Sequence, residues 1–107
     1  MDRPRPTIRQ VEYFIAIAEA LNFNRAAKRL GVSQPTLTTQ IVSFEEALGI
    51  QLFERSRSGT VLTTVGRELL SHARRVTEEF QGLVDRAESV SRGPAGVQEG
   101  GTTNSTP

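Results

Sequence analysis

Residues 23–42 read FNRAAKRLGVSQPTLTTQIV, and this stretch decides the fold because it predicts two helices joined by a tight turn. Gly31 stands where a helix end favours a residue without a side chain. Ser33 can cap the next helix, and Pro35 is tolerated in the first turn of that helix. The small pair Ala26-Ala27 lets the two helices approach closely. Residues 23–42 are therefore typical of a helix-turn-helix motif.

Apolar residues at helical spacing continue on both sides of this motif. Before it, Thr7 and Gln10 form a capping-box pattern that starts a first helix, which reaches about residue 20. Asn24 is the expected cap of the second helix, residues 25–30. The third helix carries its apolar side chains on one face and ends at Gly49; those side chains are Leu37, Ile41, Phe44 and Leu48.

A hairpin and a long helix are predicted to follow. Two short strand-like runs, residues 51–53 and 60–62, flank the polar segment RSRSG at 55–59, a pattern typical of a hairpin with a polar tip. From Thr63 or Thr64 an apolar heptad stripe predicts one long helix that ends near residue 92. The stripe consists of Leu69, Ala73, Val76, Phe80, Leu83, Ala87 and Val90.

The expected fold class is mainly α, a winged helix-turn-helix of three helices plus a two-stranded wing, followed by a long dimerisation helix. The winged helix-turn-helix domain is predicted at 6–63, with the helix-turn-helix motif at 23–42. The linker or dimerisation helix is predicted at 64–92. The tail at 93–107 is rich in Gly, Thr, Ser and Pro, which predicts disorder.

Composition excludes several classes of protein. The net charge of +1 is too small to indicate nucleic-acid binding by itself. The absence of cysteine and the single histidine, His72, leave no disulfide, metal site or cofactor to expect. The carboxylate pairs at 45–46 and 78–79 are sequence neighbours on helices and do not converge, so we predict no enzyme. No apolar stretch is long enough to span a membrane or to form a signal peptide, and we expect a cytoplasmic location.

The start of the third helix suits contact with DNA. A recognition helix reads bases mainly with its N-terminal turn, and its unpaired N–H groups favour a phosphate. Gln34 suits a paired contact with adenine, and Thr36 suits a thymine methyl group or a base-edge acceptor. Arg55 and Arg57 of the hairpin suit a phosphate or the adjacent minor groove, the alternative being arginines that only solvate a loop. For residues 28–29, Lys and Arg, a phosphate contact and a solvated face stay equally open.

With these motifs identified, residues 7–92 resemble the N-terminal part of a LysR-type transcriptional regulator. The resemblance rests on R-A-A, V-S-Q-P, L-G-x-x-L-F-E-R and L-T-x-x-G at their observed separations. Together with the reasoning above, it implies DNA contacts at Asn24, Arg25, Ser33, Gln34, Pro35, Thr36, Thr38, Thr39, Arg55, Arg57 and Ser58. The family often has Ser-Arg where this chain has Thr38-Thr39, so the positive charge is lost and the contact at Thr39 is in doubt.

The resemblance also implies a homodimer. In the family the long helix pairs antiparallel with its partner's and holds two reading heads on an inverted-repeat operator, and this helix would span roughly 42 Å. For Leu69 and Leu70, packing on the head of their own chain is an equal alternative to the dimer seam. Family members continue into an effector-binding domain. Here GPAGVQEGGTTNSTP follows instead, so we expect no small-molecule effector for this chain.

A second function remains open from the sequence. The chain can be an interaction module that pairs with full-length relatives through Val76, Phe80 and Leu83. Such a module makes no use of Gln34 or Arg57. The intact polar face of the third helix favours DNA binding over this alternative.

Overall fold

The computed structural model describes residues 4–93 as a helical head, a hairpin and a long helix. In order, the elements are α1 (Ile8–Ala20), α2 (Phe23–Leu30), α3 (Gln34–Leu48), β1 (Phe53–Ser56), β2 (Gly59–Leu62) and α4 (Thr64–Arg92). This architecture confirms the predicted mainly α winged helix-turn-helix with a long helix after it. The predicted disorder of the tail concerns residues 94–107 almost entirely, and these lie outside the described residues.

The predicted N-cap of α1 is correct, and the predicted N-cap of α2 is wrong. Thr7 and Gln10 form the predicted capping box, each side chain accepting a hydrogen bond of 3.1 Å from the other residue's backbone N–H. At the other end Leu21 adopts a left-handed conformation (φ 50°), which leaves Asn22 extended. The Asn22 Oδ1 atom therefore accepts from the Arg25 N–H at 2.8 Å and caps α2. The prediction that Asn24 is the cap was wrong, since Asn24 lies inside the first turn of α2.

The core of the head is built from the apolar faces of the first three helices and the start of the hairpin. Phe14 lies at its centre, with its ring centroid 6.1 Å from that of Phe44 and 5.6 Å from that of Phe53. The predicted face of α3 is confirmed, because Leu37, Ile41 and Phe44 are buried and Leu48 packs against the same core. Ala26 and Ala27 are buried too, as expected of small residues at a close helix contact.

The hairpin is shifted relative to its prediction. β1 and β2 pair antiparallel from Phe53 with Leu62 to Ser56 with Gly59, so the connecting turn is only residues 57–58. Residues 51–52 precede the strand, and Arg55 lies within β1 instead of in a polar tip. Arg55 belongs to the strand because it pairs with Thr60. Where the chain enters β1, one oxygen of Glu45 accepts the N–H groups of Leu52 (2.8 Å) and Phe53 (3.3 Å). This carboxylate satisfies the backbone where the chain turns from α3 into the wing.

Thr63 and Gly66 join the wing to α4. The Thr63 N–H donates to the Leu52 carbonyl at 2.9 Å, and its hydroxyl donates to the Gln51 carbonyl at 2.7 Å. The same hydroxyl oxygen accepts the Gly66 N–H at 2.9 Å and so caps the helix. Gly66 is buried, and a Cβ atom there would lie 2.3 Å from the Leu52 carbonyl oxygen. The L-T-x-x-G pattern thus marks a close backbone crossing.

The chain divides into two compact units within α4, after Thr77. In the first unit Ala73 is a core residue with 7% of its surface exposed, and Leu69 and Leu70 are half-buried against the same core. Leu69 and Leu70 therefore pack on their own head, which is the alternative that the sequence left open. The compact unit also extends beyond the predicted range of 6–63.

In the second unit, the continuation of α4 exposes the later part of the stripe. Phe80 is 39% exposed and Leu83 is 66% exposed, and Ala87 and Val90 are exposed as well. Val76, at the end of the first unit, is also exposed. Of the seven predicted dimerisation residues, these five keep an accessible surface within the single chain.

Candidate nucleic-acid interface

The turn between α2 and α3 is built as the sequence predicts. Gly31 takes the left-handed conformation (φ 72°), and its N–H donates to the Lys28 carbonyl at 3.2 Å. The next residue, Val32, donates to the Ala27 carbonyl at 3.0 Å, which completes a Schellman-type helix end. Ser33 then caps α3, because its hydroxyl accepts the Thr36 N–H at 3.2 Å. Three residues, 31–33, therefore suffice to redirect the chain into α3.

The first turns of α3 carry a polar face above the buried core. Ser33, Pro35, Thr36 and Thr39 are exposed, whereas Gln34 and Thr38 are partly exposed. Leu37, in the middle of this segment, is fully buried and fixes which face points outward. Two side-chain hydrogen bonds order the polar face: Ser33 donates to the Thr36 hydroxyl at 2.9 Å, and Gln34 Nε2 donates to the Thr38 hydroxyl at 2.7 Å.

The two wing arginines occupy different environments. Arg57 and Ser58 form the exposed turn, which is ordered by a 2.9 Å contact between the hydroxyls of Ser56 and Ser58. The Arg55 guanidinium carbon lies 3.9 Å from the centroid of the Phe23 ring. This cation–π stack joins the wing to the start of α2 and has no local signal in the sequence, because the two residues belong to different elements.

An open cleft of about 240 Å³ brings the predicted elements together. Its walls include Asn24 from the first turn of α2, Gln34 from the first turn of α3, and Arg55 from the wing. Arg25 is exposed on the first turn of α2, outside the walls of this cleft. Thr39 is exposed one turn further along α3 and does not line the cleft either. Three of the predicted contacts thus converge on one opening.

Glu19 is the acidic partner in both salt bridges among the described residues. It pairs with Arg29 of α2 at 2.5 Å and with Arg74 of α4 at 3.3 Å. The hydrogen bond from Arg29, with a smaller contribution from the charges of both arginines, lowers the pKa of Glu19 despite some burial. Arg29 is therefore paired with Glu19 within the head, a contact that neither sequence alternative, a phosphate contact or a solvated face, included.

The described residues hold no candidate metal centre and no membrane-spanning helix. Between residues 4 and 93, no three His, Asp or Glu side chains are grouped closely enough to bind a metal ion. No helix in the same range is both long and apolar enough to cross a bilayer. A polar opening lies between α2, α3 and the wing.

The sequence and the structure are similar to those of known regulators. The chain is 48% identical over 88 residues to the HTH-type transcriptional regulator TfdS of Cupriavidus pinatubonensis, covering 82% of this chain and 30% of TfdS. The crystal structure of the CbnR_DBD–DNA complex matches with a TM-score of 0.75 and 46% identity over 80% of this chain and 99% of that one. The BenM_DBD/benA site 1 DNA complex matches with a TM-score of 0.75 and 32% identity, over 81% and 98%.

A family model identifies the group to which these relatives correspond. The model described as "Bacterial regulatory helix-turn-helix protein, lysR family" matches residues 8–67, which include the helix-turn-helix and the wing. The chain spans about 30% of the length of TfdS. The relatives are transcriptional regulators and not enzymes, in agreement with the expectation from the sequence. This chain belongs to the LysR family of bacterial helix-turn-helix regulatory proteins.

Proposed function

We propose that this chain binds double-stranded DNA sequence-specifically as a homodimer and acts in transcription regulation of the LysR type. The observation that carries the proposal is the polar N-terminal face of α3, which opens beside the wing above a fully buried Leu37. Similar domains, CbnR_DBD and BenM_DBD, form complexes with DNA. The proposed contacts are Asn24, Arg25, Ser33, Gln34, Pro35, Thr36, Thr38, Thr39, Arg55, Arg57 and Ser58.

The charges of the head support binding to a polyanion. Both salt bridges among the described residues belong to Glu19, so Arg25, Arg55 and Arg57 have no carboxylate within salt-bridge distance in that part of the chain. Their guanidinium groups are available to phosphates, and each phosphate contact adds affinity that falls with rising salt. The net charge of +1 does not show this, because it sums the whole chain, in which 13 Lys and Arg residues are offset by 12 Asp and Glu residues.

The hydrogen bonding of Gln34 leaves groups with which it can read a base. One proton of its amide nitrogen is donated to the Thr38 hydroxyl at 2.7 Å. The other proton and the carbonyl oxygen remain, and these form the donor–acceptor pair that a bidentate contact with adenine requires. Thr38 therefore supports the proposal by holding Gln34, in addition to any contact of its own with DNA.

The homodimer is proposed to form through α4. The exposed side chains of Val76, Phe80, Leu83 and Val90 recur at heptad spacing, and burying them against a second copy removes apolar surface from water. A dimer places two reading heads on one duplex, which predicts an inverted-repeat operator. Leu69 and Ala73 contribute less to this seam, because the core of their own head already covers them.

The experiment is selection of binding sites from a random-sequence duplex pool by the 107-residue chain, followed by titration of the enriched duplex. Gln34→Ala should lose discrimination at one base position by roughly 1–3 kcal/mol. Gln81→Ala is the matched control, since Gln81 also makes a hydrogen bond to the residue four positions on (2.9 Å to Asp85) but lies on α4. Its discrimination should equal that of the wild type.

Two results would contradict the proposal. If no sequence is enriched at low salt, the chain does not read DNA, and a dimer found under those conditions would favour the interaction module instead. If Gln34→Ala discriminates all base positions as the wild type does, Gln34 is not a base reader. Arg57→Ala provides an independent check, because losing one phosphate contact should reduce the salt slope of binding by about 1. Arg86→Ala, on α4, should leave the slope unchanged.

A further inference from the structure

Phe23 links the hydrophobic core to the charged surface of the wing. Only 6% of its surface is exposed, and its ring forms a T-shaped pair with Phe53, with centroids 6.0 Å apart and planes at 73°. One face of the ring carries the Arg55 guanidinium at 3.9 Å. The ring is thus held by the core on one side and covered by a cation on another.

The strand explains why this arginine, which remains exposed, lies over the Phe23 ring. Phe53 and Arg55 are two residues apart on β1, and side chains at that spacing lie on the same face of a strand. Phe53 enters the core, so Arg55 follows it towards the same surface and meets Phe23 at the start of α2. The stack therefore sets the position of the wing arginine relative to the helix-turn-helix.

We infer that Phe23 is a positioning residue for DNA binding, which holds the Arg55 guanidinium so that its N–H groups face a backbone phosphate. The inference rests on the proposed function. A guanidinium stacked on a ring keeps its N–H donors at the edge of its plane, where they remain available. Among residues 4–93, no side-chain hydrogen bond or salt bridge engages Arg55. The stacked group also lines the cleft that it shares with Asn24 and Gln34.

The stack matters because a free arginine loses conformational entropy when it binds. A guanidinium that the protein already holds in place loses less conformational entropy when it binds a phosphate. The contribution of a partly exposed cation–π contact corresponds to about a three- to tenfold change in an equilibrium constant. Removing the ring face should weaken DNA binding by that factor, although Phe23 itself touches no phosphate.

A double-mutant cycle with Phe23→Leu and Arg55→Met tests this inference. Because phosphate contacts carry no sequence information, the probe is a mixed-sequence DNA duplex, titrated with the 107-residue chain at several salt concentrations. Phe23→Leu should weaken binding about three- to tenfold when Arg55 is present and less than about twofold in Arg55→Met. Arg55→Met should lower the salt slope by about 1, with no further loss when Phe23→Leu is added.

Phe44→Leu is the matched control for a merely structural effect. Phe44 is equally buried and contacts Phe14, away from Arg55. Any effect of Phe44→Leu on DNA binding should be the same with and without Arg55, and urea unfolding of each variant will show that all are folded during the titration. If Phe23→Leu also loosens the core, that effect on DNA binding is the same with and without Arg55. It therefore cancels when the two backgrounds are compared.

Two outcomes overturn the inference while leaving the proposed function intact. In one, Phe23→Leu weakens binding by the same factor in both backgrounds, which would mean that the ring acts only through the fold. In the other, Phe23→Leu binds the duplex as the wild type does. If the wild-type chain fails to bind any duplex at low salt, the proposed function falls first and this inference falls with it.

Discussion

Replacing Gly66 with alanine tests the close crossing between the wing and α4. The added Cβ would lie 2.3 Å from the Leu52 carbonyl oxygen and 3.1 Å from both the Leu52 carbonyl carbon and the Thr63 hydroxyl. The first contact is with backbone, so a side-chain rotation cannot relieve it. The start of α4 must move away from Leu52, and the hydrogen bonds of Thr63 to the Gln51 and Leu52 carbonyls must lengthen.

The expected change in the free energy of unfolding is the sum of three contributions, of which two destabilise the protein and one stabilises it. Forcing an extra methyl group into a packed site costs about 1–3 kcal/mol. A weakened hydrogen bond adds about 1 kcal/mol, and the better helix propensity of alanine returns at most about 1 kcal/mol. Gly66→Ala should therefore lower the free energy of unfolding by about 1–3 kcal/mol. Gly82 provides the matched control in the same helix, because a Cβ there meets nothing within 4 Å.

The assay is urea unfolding followed by far-UV circular dichroism at one fixed protomer concentration, since the proposed dimerisation would make apparent stability depend on concentration. Gly82→Ala should raise the free energy of unfolding by about 0.5–1 kcal/mol through helix propensity alone. If Gly66→Ala is as stable as the wild type while Gly82→Ala behaves as expected, the reasoning about the crossing is refuted. The glycine of L-T-x-x-G would then need another explanation.

Three further predictions concern the core, the Glu19 cluster and the dimer. Leu37→Ala should cost about 2–5 kcal/mol in the same urea assay, because Leu37 is fully buried; a smaller loss would mean that the site collapses. For Glu19→Gln we expect a loss below about 1 kcal/mol at neutral pH, because the pair with Arg29 is exposed. Since the pKa of Glu19 is lowered, its contribution is present above the ordinary carboxyl pKa and disappears as the pH falls through the lowered one. Urea midpoints of wild type and Glu19→Gln should therefore converge in acid, and a constant difference would exclude the ion pair as the cause. Phe80→Glu should yield monomers in sedimentation equilibrium, and an intact dimer would place the interface elsewhere.

The parts of the fold that the sequence predicts well depend on residues close together in the chain. Thr7 with Gln10 and Ser33 with Thr36 are contacts within one helical turn, and the left-handed Gly31 terminates the helix that precedes it. Such pairs can be recognised in the sequence by their spacing, because helix geometry fixes which neighbouring residues are in contact. The wrong prediction at Asn24 is also a local error. The cap of α2 is Asn22, two residues earlier, because Leu21 adopts the left-handed conformation.

The contacts that escaped the sequence join different elements. Glu45 receives the backbone of the wing, and nothing near it distinguishes that carboxylate from the adjacent Glu46. Arg55 was predicted in the polar tip of the hairpin, but pairing of the strands placed it within β1 and against Phe23. Gln34 and Asn24 were predicted as DNA contacts without knowledge of their distance from Arg55. They line one cleft with Arg55 because of the way the elements pack.

By itself, the sequence determined the order of the elements, the helix-turn-helix and the polar face of α3, because caps, turns and apolar periodicity act over a few residues. Only the tertiary structure decided that Leu69 and Ala73 belong to the head, that Gly66 admits the Leu52 carbonyl, and that Arg55 stacks on Phe23. The physical reason is that these contacts form between surfaces that meet only after the helices pack. Which carbonyl or ring a side chain then finds depends on the relative placement of whole elements.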